Sequence, residues 1–233
     1  MARLFLLGAP SLASLLPPEL FATLRAAGTP ISYPDKALVQ ARGDARPGLS
    51  IIHQGAVQIG NPGVDGSFVV TSVLGPGHCF GEMTLFGDLP RTHDAVAMGA
   101  TVIDQVSPAA YERIAAAHPA LDRAIMAMMA RRLHVLLEFA DDLRRLPLKV
   151  QLAKLLLTMA GAQHSEARAD ATHEELAAIL GVSRVAIGTA LSALEGEGLI
   201  RRRYGSVEVS NRAALRGWIE QRTMLSPIQV VNP

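Results

Sequence analysis

The feature that most constrains the fold of this chain is a change of hydrophobic period at Ser107-Pro108. From about Ile31 to Val106 the apolar residues recur in strand fashion. Leu49, Ile51, Val57 and Ile59 alternate with residues of the opposite face, and Phe68–Val73 is a further β-rich run. Turn signals fall at Gly43-Asp44, Pro47-Gly48, Asn61-Pro62-Gly63, Asp65-Gly66 and Gly75-Pro76-Gly77. Many short strands between glycine turns predict a small sandwich or jelly roll. Beyond Ser107 the period becomes helical. Ser107 is a hydroxyl cap followed by proline at the first helical position. The short helix it starts breaks near His118-Pro119, and a long one from about Ala120 to Arg145 contains neither Gly nor Pro.

On the long helix Met126, Met129, Leu133, Leu136, Ala140 and Leu143 step by three and four as a coiled-coil-like seam. A second stripe, Leu121, Ile125, Met128, Val135 and Phe139, lies beside it. One stripe suffices to dock a helix on its own domain, so two adjoining stripes predict a parallel partner helix and hence a homodimer. The alternative is one broad stripe buried within a single chain.

Bulk composition narrows the class. Hydrophobic residues make up 49% of the chain and charged residues 18%, which excludes a disordered tail-like protein. The net charge of +1 advertises no global basic field, so any nucleic-acid contact must come from a local patch. Residues 147–233 are slightly basic, with 10 Lys/Arg against 8 Asp/Glu, whereas residues 1–146 hold 12 against 13. The single cysteine, Cys79, cannot form an intrachain disulfide and falls short of a Cys-rich zinc or iron–sulfur ligand set. The opening Leu4-Phe5-Leu6-Leu7 is too short for a signal core or membrane span, which predicts a cytoplasmic protein without membrane contact.

Leu146-Pro147 reads as the joint between domains, because proline ends one helix and can start the next. The expected divisions are residues 1–118, a β-domain; 119–146, the long helix and hinge; and 147–233, a helical domain. Residues 148–162 predict an amphipathic helix and Gln163–Ala171 a polar loop. Thr172-His-Glu-Glu175 is a capping box, followed by the apolar face Leu176, Ala177, Ile179 and Leu180. Gly181 permits a tight bend, Ser183 can cap a second helix, and Val185, Ile187, Leu191 and Leu194 form its buried side. Leu199–Val209 then reads as a two-stranded wing turning at Tyr204-Gly205.

This order is a winged helix-turn-helix, and its chemistry suits double-stranded DNA. Arg184, at the start of the second helix, can pair bidentately with guanine O6 and N7 in a major groove. Thr172 and Ser183 sit at helix N-termini, where hydroxyls and amides suit phosphate oxygens. Arg201, Arg202 and Arg203 place three positive charges at the wing base. The bland alternative is a helical hairpin with a charged surface, used for protein interaction.

The chain resembles the CRP/FNR family of bacterial transcription regulators over nearly its whole length. The resemblance rests on FGEMTLFGDLPRT (Phe80–Thr92), MARRLHVLLE (Met129–Glu138) and the ELAAILGVSR…LSALEGEGLI block (Glu175–Ile200). It implies an α+β fold with an N-terminal double-stranded β-roll (jelly roll) sensor domain, a long dimerisation helix and a C-terminal winged helix-turn-helix. It also implies a two-fold DNA site, and RNA polymerase is a candidate partner.

Family members that bind cyclic nucleotides use Gly, Glu, Arg and Ser/Thr at positions matching Gly81, Glu82, Arg91 and Thr92. Gly81 allows close backbone approach, Glu82 can accept from a ribose hydroxyl, and Arg91 with Thr92 can donate to a phosphate. The alternative is an internal Glu82–Arg91 ion pair. His93-Asp94 stands where the family places a small alanine. A carboxylate there repels a phosphodiester unless it points away or is neutralised, and His93 is a candidate partner or phosphate donor. Cyclic-AMP-responsive relatives meet the base with a Thr-Ser pair where this chain has Leu136-Leu137. The effector is therefore a cyclic mononucleotide with changed base contacts or a different ligand, such as a cyclic dinucleotide or an apolar molecule, unless DNA binding is ligand-independent.

Well-known relatives follow the Ser-Arg with Glu and, four residues later, Arg. Here Val185 and Thr189 stand there, so the operator differs, Val185 offering only an apolar surface, for instance to a thymine methyl. Haem ligation by His78 beside Cys79 is disfavoured, a turn-borne histidine being more often a solvated loop residue. Neither a metal site nor a catalytic group is expected: Glu82, Arg91 and His93 lack the metal or oriented base that phosphodiester hydrolysis wants.

Overall fold

The computed structural model describes residues 10–63, 66, 68–160 and 168–223. The Leu4–Leu7 segment, Asp65 of the predicted Asp65-Gly66 turn, and residues 161–167 lie outside the described residues. The chain divides into two compact units, Arg3–Leu137 and Glu138–Pro233.

The first unit opens with two helices, α1 (Leu12–Leu15), capped by the Ser11 hydroxyl, and α2 (Pro18–Ala26), with proline in its first turn. Its strands are β1 (Thr29–Tyr33), β2 (Leu38–Gln40), β3 (Leu49–Pro62), β4 (Phe68–Leu74), β5 (Cys79–Phe80) and β6 (Asp94–Val106), with a short helix α3 (Glu82–Phe86) after β5. The short strands expected between glycine turns prove to be organised around two long ones. β3 and β6 pair antiparallel from Leu49↔Val106 to Gly60↔Asp94. One end of β6 pairs with β1 and the other with β2, while β3 pairs with β5 at one end and β4 at the other. This doubling of one long ribbon is the β-roll.

Gly55 lets β3 stay continuous across a bulge. It adopts φ +79°, and a Cβ there would lie 2.5 Å from the Ala100 carbonyl oxygen. The register shifts on either side of Gln54 accommodate the extra residue.

Two apolar cores hold the unit. Ile52, Val57, Leu74, Phe80, Ala95 and Ile103 pack inside the roll. Leu12, Leu24, Leu49 and Tyr111 pack with Leu121, Ile125 and Met128 of the long helix outside it. Each fully buried Leu, Ile or Met contributes about 1.5–3 kcal/mol. The helices here are α4 (Pro108–Ala117), capped by the Ser107 hydroxyl, and α5 (Ala120–Arg145), whose residues from Glu138 onward belong to the second unit. Leu121, Ile125 and Met128 of the second predicted stripe are thus the docking face. The seam differs: Met126 is 62% exposed, Leu133 56% and Leu136 50%.

The second unit contains α6 (Leu148–Met159), β7 (Arg168–Ala169), α7 (His173–Leu180), α8 (Arg184–Gly196), β8 (Ile200–Arg203), β9 (Ser206–Val209) and α9 (Arg212–Thr223). The predicted polar loop is corrected at its end, because Arg168 and Ala169 pair with Glu208 and Val207 and make the wing a three-stranded sheet, β7-β9-β8. A two-residue edge strand has no periodicity of its own; its partner creates it. In α6, Leu152, Ala153 and Leu156 are fully buried. Trp218 of α9 is held by chemistry on three sides. Its Nε1 donates to Glu197, the Arg222 guanidinium lies 4.0 Å from the ring centroid, and Lys149 Nζ lies 5.3 Å away while donating to Glu197 at 2.6 Å.

Candidate functional site

The first unit carries a partly open cavity of about 500 Å³ against the β-roll. Six of the seven residues expected to touch an effector line it: Gly81, Glu82, Arg91, Thr92, His93 and Leu136. Leu137 does not, and is exposed instead, because adjacent helix residues point about 100° apart.

Gly81 has φ +98°, and a Cβ there would lie 2.5 Å from the Gly48 carbonyl oxygen and 3.0 Å from Arg91 Nη1. Only glycine brings the start of α3 this close to the guanidinium. Arg91 Nη2 donates to the Arg46 carbonyl at 3.2 Å, and the Arg91 backbone is tied on both sides, to Asp44 O at 3.0 Å and from Gly43 N at 2.8 Å. Burial lowers the Arg91 guanidinium from its ordinary value, opposed by the charges of Asp44 and Glu82. An arginine so lowered remains a cation at neutral pH.

Glu82 pairs with Arg132 of α5, not with Arg91. Both side chains are largely buried, and Arg132 Nη2 also donates to the Cys79 carbonyl at 2.9 Å. The internal ion pair weighed between Glu82 and Arg91 is therefore corrected to a pair fifty residues apart in sequence. Arg132, Gln40, Ser72 and Phe80 line the cavity too; Phe80 and Arg132 fall within the Phe80–Thr92 and Met129–Glu138 motifs without standing out in them, and no motif announces Gln40 or Ser72. Five buried polar atoms on residues that line this cavity, Gln40 Oε1, Ser72 Oγ, Glu82 Oε2, Arg91 Nε and Arg132 Nε, have no protein partner. Orphans at this density are costly in a site that stays empty, and natural in one that takes a polar ligand.

Asp94 does not line the cavity; its Oδ1 accepts from the Arg42 amide at 2.6 Å. The carboxylate is thus turned to backbone, and His93 is not its hydrogen-bond partner. Thr92 Oγ1 and His93 Nδ1 lie 2.8 Å apart, and burial, aided by the charge of Arg42, lowers the imidazole from its ordinary value.

His78 holds its loop through Nδ1 and the Gly75 carbonyl at 3.1 Å. Cys79 is fully buried, with its Sγ 3.6 Å from Met128 Sδ, and burial pushes the thiol pKa up to about 12. A thiol kept neutral this far above physiological pH is a poor nucleophile. Native protein at pH 8 should leave Ellman's reagent unreacted until denaturant is added; prompt release of one equivalent of thionitrobenzoate would contradict this.

In the second unit the capping box forms as expected: Thr172 Oγ1 accepts from Glu175 N at 3.2 Å, and Glu175 Oε2 accepts from Thr172 N at 2.7 Å. The Thr172 hydroxyl also donates to Glu175 Oε2 at 3.0 Å. Its proton is thereby spent within the cap, beside a carboxylate. Gly181 is left-handed, with φ +65°, and α7 and α8 meet at 106°. The Ser183 hydroxyl accepts from Ala186 N at 3.2 Å, so α8 starts at Arg184.

Ile187, Leu191 and Leu194 are fully buried, but Val185 is 79% exposed. Its assignment to the buried side of the helix is corrected: two residues before the buried Ile187 it points about 200° away from it, and it stands exposed, as do Arg184 and Thr189. The Thr189 hydroxyl donates to Val185 O at 3.1 Å, which leaves its methyl and lone pairs outward.

The three wing arginines are not equivalent. Arg202 donates from its amide and its Nε to Glu195, at 2.8 and 2.7 Å, and from Nη1 to Ser192 Oγ at 2.9 Å. Arg203 Nε pairs with Glu208 at 3.0 Å. Arg201 is exposed and lies opposite Glu208 in the β8–β9 register. Hydrogen bonds from Arg202 and Arg203 lower Glu195 and Glu208 respectively, and the Arg201 charge adds to both, but Arg201 makes no side-chain hydrogen bond or ion pair among the described residues. Spacing alone counted three charges; the fold neutralises two of them locally.

A ligand-sized cavity in a β-roll and a winged helix-turn-helix define the class to which the two units belong. Residues 30–118 match the cyclic nucleotide-binding domain family, and residues 150–218 match the Crp-like helix-turn-helix domain family. The chain is 31% identical over 209 residues to the CRP-like cAMP-activated global transcriptional regulator of Mycobacterium tuberculosis, covering 85% of this chain and 91% of that one. It is also 31% identical over 189 residues to the cyclic AMP receptor protein of Thermus thermophilus, covering 78% and 84%. The c-di-GMP responsive global regulator CLP of Xanthomonas campestris shares the fold, with a TM-score of 0.69 at 21% identity, covering 84% of this chain and 100% of that chain. The chain belongs to the CRP/FNR family of transcription regulators. It is a DNA-binding regulator controlled by an effector through its β-roll domain.

Proposed function

We infer that this protein acts in the cytoplasm as a homodimer that reads a two-fold DNA site and changes its DNA affinity when a cyclic nucleotide or cyclic dinucleotide enters the β-roll cavity. The observation that carries the DNA reading is the outward face of α8, where Arg184, Val185 and Thr189 stand exposed while Ile187, Leu191 and Leu194 hold the opposite face in the core. Arg184 reads a guanine edge, Val185 packs on a thymine methyl, and Ser183 donates to a phosphate. RNA polymerase is the partner through which transcription changes, and the protein carries out no catalysis of its own.

The cavity suits a phosphate-bearing ligand. Arg91 holds the phosphate together with one proton of the Thr92–His93 pair, whose mutual hydrogen bond uses the other, and Glu82 Oε2 accepts from a ribose hydroxyl while its other oxygen stays on Arg132. Leu136 covers the ligand with hydrocarbon. Calorimetric titration with cyclic AMP, cyclic GMP and cyclic di-GMP tests this directly. Saturable heat from at least one is expected, abolished or weakened in Arg91→Gln; no heat from any at millimolar concentration would remove the nucleotide reading.

Dimerisation rests on the seam of α5, where Met126, Leu133 and Leu136 expose apolar surface in a row. Leu133→Glu places a carboxylate in that row and should convert the protein to a monomer with sharply reduced DNA affinity. Sedimentation velocity checks this, and a Leu133→Glu dimer as tight as wild type would contradict it.

Arg201 is the wing's phosphate contact. Arg201→Ala should lower the slope of log K against log salt by about 0.9 per subunit, in a DNA-binding titration between low and physiological salt. An unchanged slope would assign the contact elsewhere.

A further inference from the structure

Gln40, Ala95, Ile59 and Ser72 form one row across four strands: Gln40 pairs with Ala95, Ala95 with Ile59, and Ile59 with Ser72. All four line the cavity. The centre of the row is apolar and its two ends are polar, and each polar end carries a buried atom without a partner, Gln40 Oε1 and Ser72 Oγ.

Gln40 is not simply a polar residue caught in a core. Its Nε2 donates to Ser50 Oγ at 2.7 Å, and Ser50 in turn donates to Gln105 Oε1 at 2.7 Å. Ser50 is fully buried and sits opposite Gln105 in the β3–β6 register. A hydroxyl has one proton; since it goes to Gln105, Ser50 can only accept from Gln40. The relay therefore fixes which half of the Gln40 amide is used by the protein and which is left over. The half left over is an acceptor. Leaving it unpaired is unfavourable, whereas a leucine at this position would fill the same space with no polar atom to satisfy.

We propose that Gln40 is a specificity-determining residue of the effector cavity, accepting a hydrogen bond through Oε1 from an N–H or O–H of a bound nucleotide, with Ser50 and Gln105 as positioning residues. This rests on the nucleotide reading above. It assigns discrimination to β2 rather than to α5, whose Leu136 offers the ligand no hydrogen bond. A ligand with a donor at this place satisfies the amide; one without it leaves the acceptor buried and unpaired, and binds less tightly.

The test compares wild type, Gln40→Leu and Ser50→Ala by calorimetry. The probes are cyclic AMP, cyclic GMP and cyclic di-GMP, each beside analogues lacking the 2′-hydroxyl or the exocyclic amine. For a nucleotide that wild type binds, Gln40→Leu should weaken affinity about tenfold, the size expected for a hydrogen bond to a buried acceptor. One donor-deleted analogue should lose a similar factor on wild type and lose nothing further on Gln40→Leu. Ser50→Ala, which frees the amide to rotate, should give a smaller loss with the same analogue pattern. The melting temperature of ligand-free Gln40→Leu should equal or exceed that of wild type.

Equal affinity of wild type and Gln40→Leu would overturn the assignment, as would a donor-deletion penalty that persists in the variant. A lowered ligand-free melting temperature with indiscriminate weakening of every probe would make Gln40 structural and overturn it as well. If wild type binds none of the probes, the nucleotide reading itself fails, and the Gln40 assignment fails with it.

Discussion

Arg132→Leu should destabilise the β-roll unit by about 3–5 kcal/mol, the penalty for leaving a buried carboxylate without its cation. Glu82 and Arg132 are both largely buried, and Arg132 also satisfies the Cys79 carbonyl, so its removal strips two acceptors at once. The pair itself need not be stabilising. Desolvating both charges offsets most of their attraction, so the double variant Glu82→Leu/Arg132→Leu should recover most of the loss. It should also be deaf to effector, because the carboxylate meant for the ligand hydroxyl is gone. Urea denaturation followed by far-ultraviolet circular dichroism checks the order wild type, double variant, single variant. A single variant as stable as wild type would show that the pair does not hold the cavity wall.

The second large effect is on DNA. Arg184→Ala removes the one cation on the outward face of α8, which otherwise presents Val185 and Thr189. A bidentate arginine–guanine contact carries about 1–3 kcal/mol of discrimination, and a two-fold site counts it twice. Specific affinity should therefore fall by at least about thirtyfold, while binding to random duplex at low salt falls little. The measurement is competition of a selected duplex against random duplex in a mobility shift. Equal loss on both would reduce Arg184 to a phosphate contact; no loss would displace α8 from the groove.

How much of this was legible in the sequence follows the range of the forces involved. Caps are chemistry between residues three apart, so Ser107, Thr172 and Ser183 mark the starts of α4, α7 and α8 as read. The wing turn at Tyr204-Gly205 is equally local. The helices α1, α2, α3 and α9 were not read, although Ser11 caps α1 by the same rule and Pro18 opens α2. The four-residue α1 and five-residue α3 give too little periodicity to stand out, whereas the 12-residue α9 carries Leu215, Trp218 and Ile219 at helical spacing, a signal that could have found it.

The site divides the same way. The Gly81–Thr92 segment is contiguous and therefore readable, whereas Arg132 reaches Glu82 only because α5 docks on the roll through Leu121, Ile125 and Met128. Gln40 enters the cavity through the pairing of β2 with β6, a register no local pattern encodes. Val185 was misassigned because an apolar residue near Ile187 looks like core, while helical geometry turns it about 200° away from Ile187. The wing arginines were counted as equals because Glu195 and Glu208 lie apart from them in sequence and beside them in the fold.

The central claim is that a nucleotide in the roll alters how α8 engages DNA. Fluorescence anisotropy tests it most directly, titrating the dimer into a labelled duplex selected from random sequence, at fixed salt, with and without cyclic AMP, cyclic GMP or cyclic di-GMP. At least one of these should shift the dissociation constant tenfold or more, and Arg91→Gln should erase that shift while leaving the unliganded value in place. Tight, sequence-selective binding that no nucleotide moves would contradict the coupling, and failure to bind any duplex at low salt would contradict the account as a whole.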